Sequence, residues 1–133
     1  MKKFFYNHDL GLLIFRLCIG LSIAFSHGMG KIPPPEQLIE GVGSMGFPLP
    51  VVFAWAAALS EFAGGLFIGA GFLTRYAAAF MGFTMAVAFF VVHAADPFLK
   101  KEMAFLYLAS AVLLIFTGAG KYSVDHKICK RSC

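Results

Sequence analysis

The stretch ALSEFAGGLFIGAG, residues 58–71, decides how this chain is read. Apart from Glu61, every residue in it is apolar or small. A carboxylate without a partner at the centre of a lipid-embedded helix costs about 2.5–3.5 kcal/mol on insertion scales. The stretch therefore poses two linked questions: whether the run crosses a membrane, and what answers the charge of Glu61.

Composition bears on the first. The chain has 133 residues, of which 59% are hydrophobic and 14% charged, and its mean hydropathy is +0.79. That leaves too little polar surface to cover a soluble globule, which carries about 25% charged residues. Four apolar runs follow one another, from Leu10 to Met29, Pro50 to Gly71, Tyr76 to Ala95 and Met103 to Gly118. About 20 helical residues span one hydrocarbon core. The fourth run is short and borrows Lys100 and Lys101 as snorkelling flanks. The expected fold is all-α, an integral-membrane four-helix bundle in a single domain over residues 1–133. Its helices run at about 10–29, 50–71, 75–95 and 101–118, and a basic tail covers 119–133. The first run follows Met-Lys-Lys but lacks a small-residue cleavage site, so it reads as a retained helix rather than a signal peptide.

Basic residues set the expected orientation. Lys2, Lys3, Arg75, Lys121, Lys127, Lys130 and Arg131 fall on one side, and Lys31, Lys100 and Lys101 on the other. Both termini are expected in the cytoplasm, in a multi-pass protein of the inner membrane. The net charge of +4 is then accounted for by these flanks, and no nucleic-acid partner is implied. The lipid bilayer is the expected partner. Cys18 falls inside the first run, while Cys129 and Cys133 belong to the tail KICKRSC. The absence of a C-x-x-C pair argues against a thiol-oxidising enzyme. The two tail thiols are a weak pattern for metal or palmitoyl attachment, and no metal site is assigned.

Few polar residues cannot be explained as flanks. Arg16 and His27 stand eleven residues apart in the first run, three helical turns, and so share a face. Glu61 is ringed at i±3 and i±4 by Ala57, Ala58, Gly64 and Gly65, and Gly65 with Gly69 extends that face as G-x-x-x-G. Such glycines read as a helix-packing surface. Depth estimates from the helix ends bring Arg16 and Glu61 within reach of each other, so the expected partner of Glu61 is Arg16. Such a pair would set helix register or mark a functional path.

A second cluster is expected near the opposite leaflet. His27 ends the first helix, His93 with Asp96 ends the third, and Glu102 opens the fourth, with Lys31, Lys100 and Lys101 nearby in sequence. Two histidines and two carboxylates at one level suit proton relay or metal binding, or simply an interface with headgroups. Between the first two helices, Leu38, Val42 and Met45 recur at i, i+4, i+7 after three prolines. This spacing predicts a short amphipathic segment on the membrane surface, either a roof over an outward pocket or a connector.

Taken in order, R-x3-G-x6-H-G-x2-K (Arg16, Gly20, His27, Gly28, Lys31), E-x2-G-G-x3-G-x5-R (Glu61, Gly64, Gly65, Gly69, Arg75), His93, and the ending GAGKYSVD form a pattern that covers nearly the whole chain. By that pattern the chain resembles the DoxX-like membrane proteins, including the DoxD-type subunit of thiosulfate:quinone oxidoreductase. The resemblance implies a four-helix membrane protein. For function it implies either a quinone-linked oxidoreductase subunit or a role in quinone or catechol stress, with catalysis dependent on a second subunit.

Three classes of function remain open on the sequence. The leading one is a membrane redox subunit that interacts with quinone as its cofactor and works with a partner protein, with homo-oligomerisation also open. His27, His93, Glu61 and Arg16 are the candidate catalytic residues, and Lys31, Phe89, Phe90 and Glu102 the candidate binding residues. A quinone head needs an apolar or aromatic slot, hydrogen-bond partners and a proton route. No flavin, haem or iron–sulfur motif is present, so electrons must pass between substrate and quinone directly or through a partner. The alternatives are a small proton-coupled transporter built on the membrane carboxylate, and a non-catalytic scaffold.

Overall fold

The computed structural model describes residues 7–132. Lys2, Lys3 and Cys133 lie outside the described residues, as do the side chains of Lys130 and Arg131. The described residues are helical throughout their long segments, with no strand among them. Helix α1 covers His8–Ile23 and continues through a wide π turn, Ala24–Gly28, and a short 3-10 turn, Met29–Lys31. A nine-residue helix, α2, covers Glu36–Ser44. Helix α3 is Pro50–Ala70 and α4 is Thr74–Val87, the latter continued by a second π turn, Ala88–Val92. Helix α5 is Phe98–Thr117, and α6, in the tail, is Val124–Ser132.

Each start and stop has a local cause. Asn7 caps α1, its side chain accepting from the Leu10 amide at 3.1 Å. Pro50 occupies the first turn of α3, where a missing N–H costs nothing. Gly71 ends α3 with φ of 72°, a left-handed conformation that suits glycine. A side chain there would also run into the Arg16 guanidinium and come within 2.6 Å of Ser123 Cβ. The three prolines Pro33, Pro34 and Pro35 separate α1 from α2. In α2, Val42 is buried while Glu36, Gln37 and Glu40 are exposed.

Three stretches are long and apolar enough to cross a membrane: His8–Lys31, Pro50–Ala70 and Thr74–Val92. These are transmembrane helices of a membrane protein. Helix α5 has the length, at 20 residues, but carries Lys100, Lys101 and Glu102 in its opening turns. The apolar surface agrees with a lipid solvent, since Phe80, Phe83, Phe90 and Phe116 are all more than half exposed.

The helices pack in the order α1–α3–α4–α5, with only slight contact between α1 and α5 to close the set. The α1–α3 seam is made by glycine. A Cβ on Gly65 would meet the Gly20 carbonyl at 2.6 Å and Ile23 Cγ2 at 2.8 Å. Gly20 in turn sits against Gly65 and Gly69, and Gly28 against the backbone of Glu61 and Phe62. The sequence reading of these glycines as a packing surface holds. On the α4–α5 side, Ala77, Ala78, Met81, Met85, Tyr107, Ala111 and Leu114 form the buried core with Ile23 and Ile68.

The glycine contacts fix an antiparallel register in which Gly20 faces Gly65 and Gly69 while Gly28 faces Glu61. Arg16 is therefore level with the end of α3, not with its middle.

Candidate functional site

That register corrects the expected Arg16–Glu61 pair. Glu61, 2% exposed, is held instead by Lys31, whose Nζ donates to both carboxylate oxygens at 2.8 and 2.6 Å. The 3-10 turn at Met29–Lys31 brings the lysine to the end of α1, and the close approach at Gly28 lets it reach α3. Lys31 is about one-third exposed at 33%, so the pair connects a buried carboxylate to the surface.

Arg16 is fully buried and serves the opposite end. Its guanidinium donates to the carbonyls of Ile68 at 3.3 Å and Gly69 at 3.4 Å, in the last turn of α3. A cation there meets the negative end of the helix dipole. Its other terminal nitrogen donates to the Tyr122 carbonyl at 2.6 Å. The tail is fastened further by Asp125, whose two carboxylate oxygens accept from the Leu73 and Thr74 amides at 2.7 and 2.9 Å. The Lys121 amide donates to Asp9 at 2.8 Å, so the two terminal segments meet at one end of the molecule.

At the other end the expected histidine cluster divides in two. His27 lies in the π turn of α1 and stacks edge-on with Tyr107 of α5, ring centres 5.6 Å apart. The Tyr107 hydroxyl is hydrogen-bonded to Ser22 at 2.8 Å. These contacts join the first helix and its π turn to α5. His93 belongs to the α4–α5 corner, where its Nδ1 lies 2.8 Å from Asp96 Oδ2. The hydrogen bond from His93 is the main reason the Asp96 carboxyl is held below its ordinary range, with Lys100 and Lys101 adding to the effect. An aromatic cluster adjoins the corner. Phe89 packs on Phe90 and Phe105 with ring centres 4.9 and 5.8 Å apart, and Phe105 packs on Phe98. Lys101 joins cluster and corner, its ammonium 5.0 Å from the centre of the Phe89 ring and donating to the Ala94 carbonyl at 3.3 Å.

A family model described as DoxX matches residues 11–94, a span that holds Arg16, His27, Lys31, Glu61 and His93. The chain belongs to the DoxX family. It is 35% identical to the inner membrane protein YqjF of Escherichia coli, over 98% of this chain and 99% of that protein. It is 31% identical to an uncharacterised protein of Haemophilus influenzae, over 79% of this chain and 81% of the other. No solved structure matches it significantly.

In this DoxX chain the residues singled out by sequence fall into three groups. Lys31 and Glu61 form one, His93 with Phe89 and Phe90 another, and Arg16 a third with the tail. No hydrogen bond or ring contact joins His27 to His93 among the described residues. Glu102 is exposed and makes no ion pair among them. No cluster of three or more metal-ligating side chains occurs among them either. The π turn explains the departure of His27 from the face of Arg16, because it breaks the α-helical spacing on which that expectation rests. Sequence reasoning missed Tyr107 and Ser22, which carry no charge to draw notice. It also missed the structural work of Asp125, which caps the start of α4 from about 50 residues away, a contact with no local signal.

Proposed function

We propose that this DoxX-family protein is a quinone-interacting subunit of the inner membrane, working with a partner protein in electron transfer. The observation that carries the reading is the His93–Asp96 couple beside the Phe89–Phe105 aromatic surface. Asp96 accepts from Nδ1–H and so fixes the orientation of the imidazole, whose other nitrogen accepts from a hydroquinone hydroxyl, or donates to a quinone carbonyl when the ring is protonated. The aromatic faces offer apolar contact to a flat ring. These residues fit a quinone head by donor chemistry and shape of surface. A bound quinone would supply two-electron, two-proton redox chemistry, for which no side chain in the described residues substitutes. His93 holds a proton at Nδ1, hydrogen-bonded to Asp96. Lys101 places a positive charge beside this surface, over one face of the Phe89 ring.

In this reading α5 is a fourth membrane-spanning helix, with Lys100, Lys101 and Glu102 at the interface, and both termini face the cytoplasm. The α2 helix lies along the opposite membrane surface. The test is purification in mild detergent followed by quinone analysis by mass spectrometry, for the wild type and His93→Ala. The wild type should retain quinone, and the variant should lose roughly two- to tenfold in retention, the loss of one hydrogen bond. With a reconstituted partner, turnover should fall about a hundredfold if His93 also moves a proton. Retention by the variant equal to that of the wild type would sink the proposal.

Proton-coupled transport is the second reading, and the Lys31–Glu61 pair favours it. A buried carboxylate joined to a partly exposed lysine is one segment of a proton path. Proteoliposomes that acidify or alkalinise in response to substrate, with the response abolished in Glu61→Gln, would support transport over redox chemistry.

A further inference from the structure

Two grooves meet at the end of the molecule that carries the terminal segments. The larger, about 870 Å³, lies among the start of α4, the end of α5 and the tail helix, and is lined by Arg75, Lys121, His126 and Thr74 among others. The smaller, about 320 Å³, runs between α3 and α4 and is almost wholly apolar, with Leu59, Ala63, Phe67 and Phe80 on its walls. Leu73 and Tyr76 line both. A groove with charged side chains at the helix ends thus adjoins, across Leu73 and Tyr76, an apolar channel on the lipid-facing side of two transmembrane helices.

The lining carries two carboxylates and two basic side chains, and they differ in which have hydrogen-bonding capacity left for a ligand. Both of its carboxylates, Asp9 and Asp125, are taken up by backbone amides of Lys121, Leu73 and Thr74. Arg75, Lys121 and Lys127 form no ion pair among the described residues. The Arg75 guanidinium lies over Gly118, where a Cβ would stand 3.4 Å from its Nε, and it lines the chamber. Thr74, a chamber residue 1% exposed, has a buried hydroxyl with no partner. A guanidinium, an ammonium and an unengaged hydroxyl around one space suit the oxygens of a phosphate. The tail adds Tyr122 before its helix and Val124 and Ile128 within it, all more than a third exposed, beside Lys121 and Lys127, apolar and basic side chains together as at a headgroup surface.

We propose that these two grooves form one binding site for a single anionic phospholipid. Its phosphate sits in the chamber of Arg75, Lys121 and Thr74, and one acyl chain lies in the α3–α4 channel past Tyr76. Continuity of the polar and apolar grooves selects a lipid over a free anion or an acidic peptide, neither of which would use the channel. The carboxylates are occupied by backbone amides while Arg75 and Lys121, with Lys127 on the adjoining tail helix, make no ion pair among the described residues, and these donors select an anionic head over a zwitterionic one, whose ammonium would meet them. The site is independent of the redox reading and stands or falls without it.

Native mass spectrometry of the full-length protein in detergent, titrated with phosphatidylglycerol or phosphatidylcholine, tests the site. Phosphatidylglycerol should bind with a stoichiometry of one and about tenfold more tightly than phosphatidylcholine. Arg75→Gln and Lys121→Gln should each weaken its retention about fivefold, as expected for one basic side chain at a membrane surface. Ala63→Phe, which fills the channel without altering charge, should weaken it as well. Lys100→Gln, at the opposite end, should leave it unchanged. Lys121 is exposed, so its variant keeps the test decisive if Arg75→Gln does not fold. Equal retention of the two lipids would overturn the proposal, as would wild-type retention in Lys121→Gln. Displacement of the lipid by inorganic phosphate together with no effect of Ala63→Phe would also overturn it, and would identify a free-phosphate site instead.

Discussion

Glu61 takes its counter-charge from Lys31, and the sequence alone points elsewhere. Distances counted from the ends of the apolar runs put Arg16 opposite Glu61, because run ends blur by several residues. The glycine contacts, which fix the true register, depend on the meeting of two helices and are invisible in either helix alone. The pair is expected to be energetically coupled. Single replacements Glu61→Gln and Lys31→Gln should each lower unfolding stability in detergent, and a double-mutant cycle should give a coupling of about 1–3 kcal/mol. Strictly additive losses would show that the contact contributes nothing. Asp96 offers a second test at this scale. Its folded carboxyl titrates below its unfolded value because of the His93 hydrogen bond. The associated stability is therefore present above the unfolded value and is lost as pH falls through the folded one. The stability difference between wild type and Asp96→Asn should shrink toward zero in acid. A difference that stays constant from neutral pH down would remove His93 as the cause.

At the scale of elements, the small residues govern. The α1–α3 seam tolerates no side chain at Gly65, where a Cβ would stand 2.6 Å from the Gly20 carbonyl. Gly65→Ala should cost about 1–3 kcal/mol through forced separation of the helices. Gly11 is a built-in control, since a Cβ there meets nothing within 4 Å. Gly11→Ala should be neutral or stabilising by up to about 1 kcal/mol. Chemical unfolding of both variants in the same detergent decides the matter, and equal effects would mean that the seam is looser than described. The apolar runs and the G-x-x-x-G face were legible in the sequence because composition and period are local properties. The π turns at Ala24–Gly28 and Ala88–Val92 were not, because nothing in those residues departs from ordinary helix formers. They matter for the site, since each precedes or contains one of the two candidate histidines.

Across the whole molecule, both terminal segments share one end and the His93 corner occupies the other. Family membership and the presence of transmembrane helices were legible in the order of the motifs, whereas the separation of His27 from His93 arose only from how four helices close. Orientation can be read from Cys129, which is exposed at the terminal end. With cytoplasmic termini, a membrane-impermeant maleimide should leave Cys129 unlabelled in intact cells and label it after permeabilisation. Rapid labelling of intact cells would invert the protein and place the His93 corner on the cytoplasmic side. The bond from Arg16 to Tyr122 also has a consequence for how the protein is made. Its partners are 106 residues apart in the chain. At synthesis rates of about 5–20 residues per second, Arg16 leaves the ribosome roughly 5–20 s before the carbonyl that completes its shell. During that interval the first helix carries a guanidinium with part of its coordination missing. A carbonyl translated 106 residues later thus completes the shell of a charge in the first transmembrane helix.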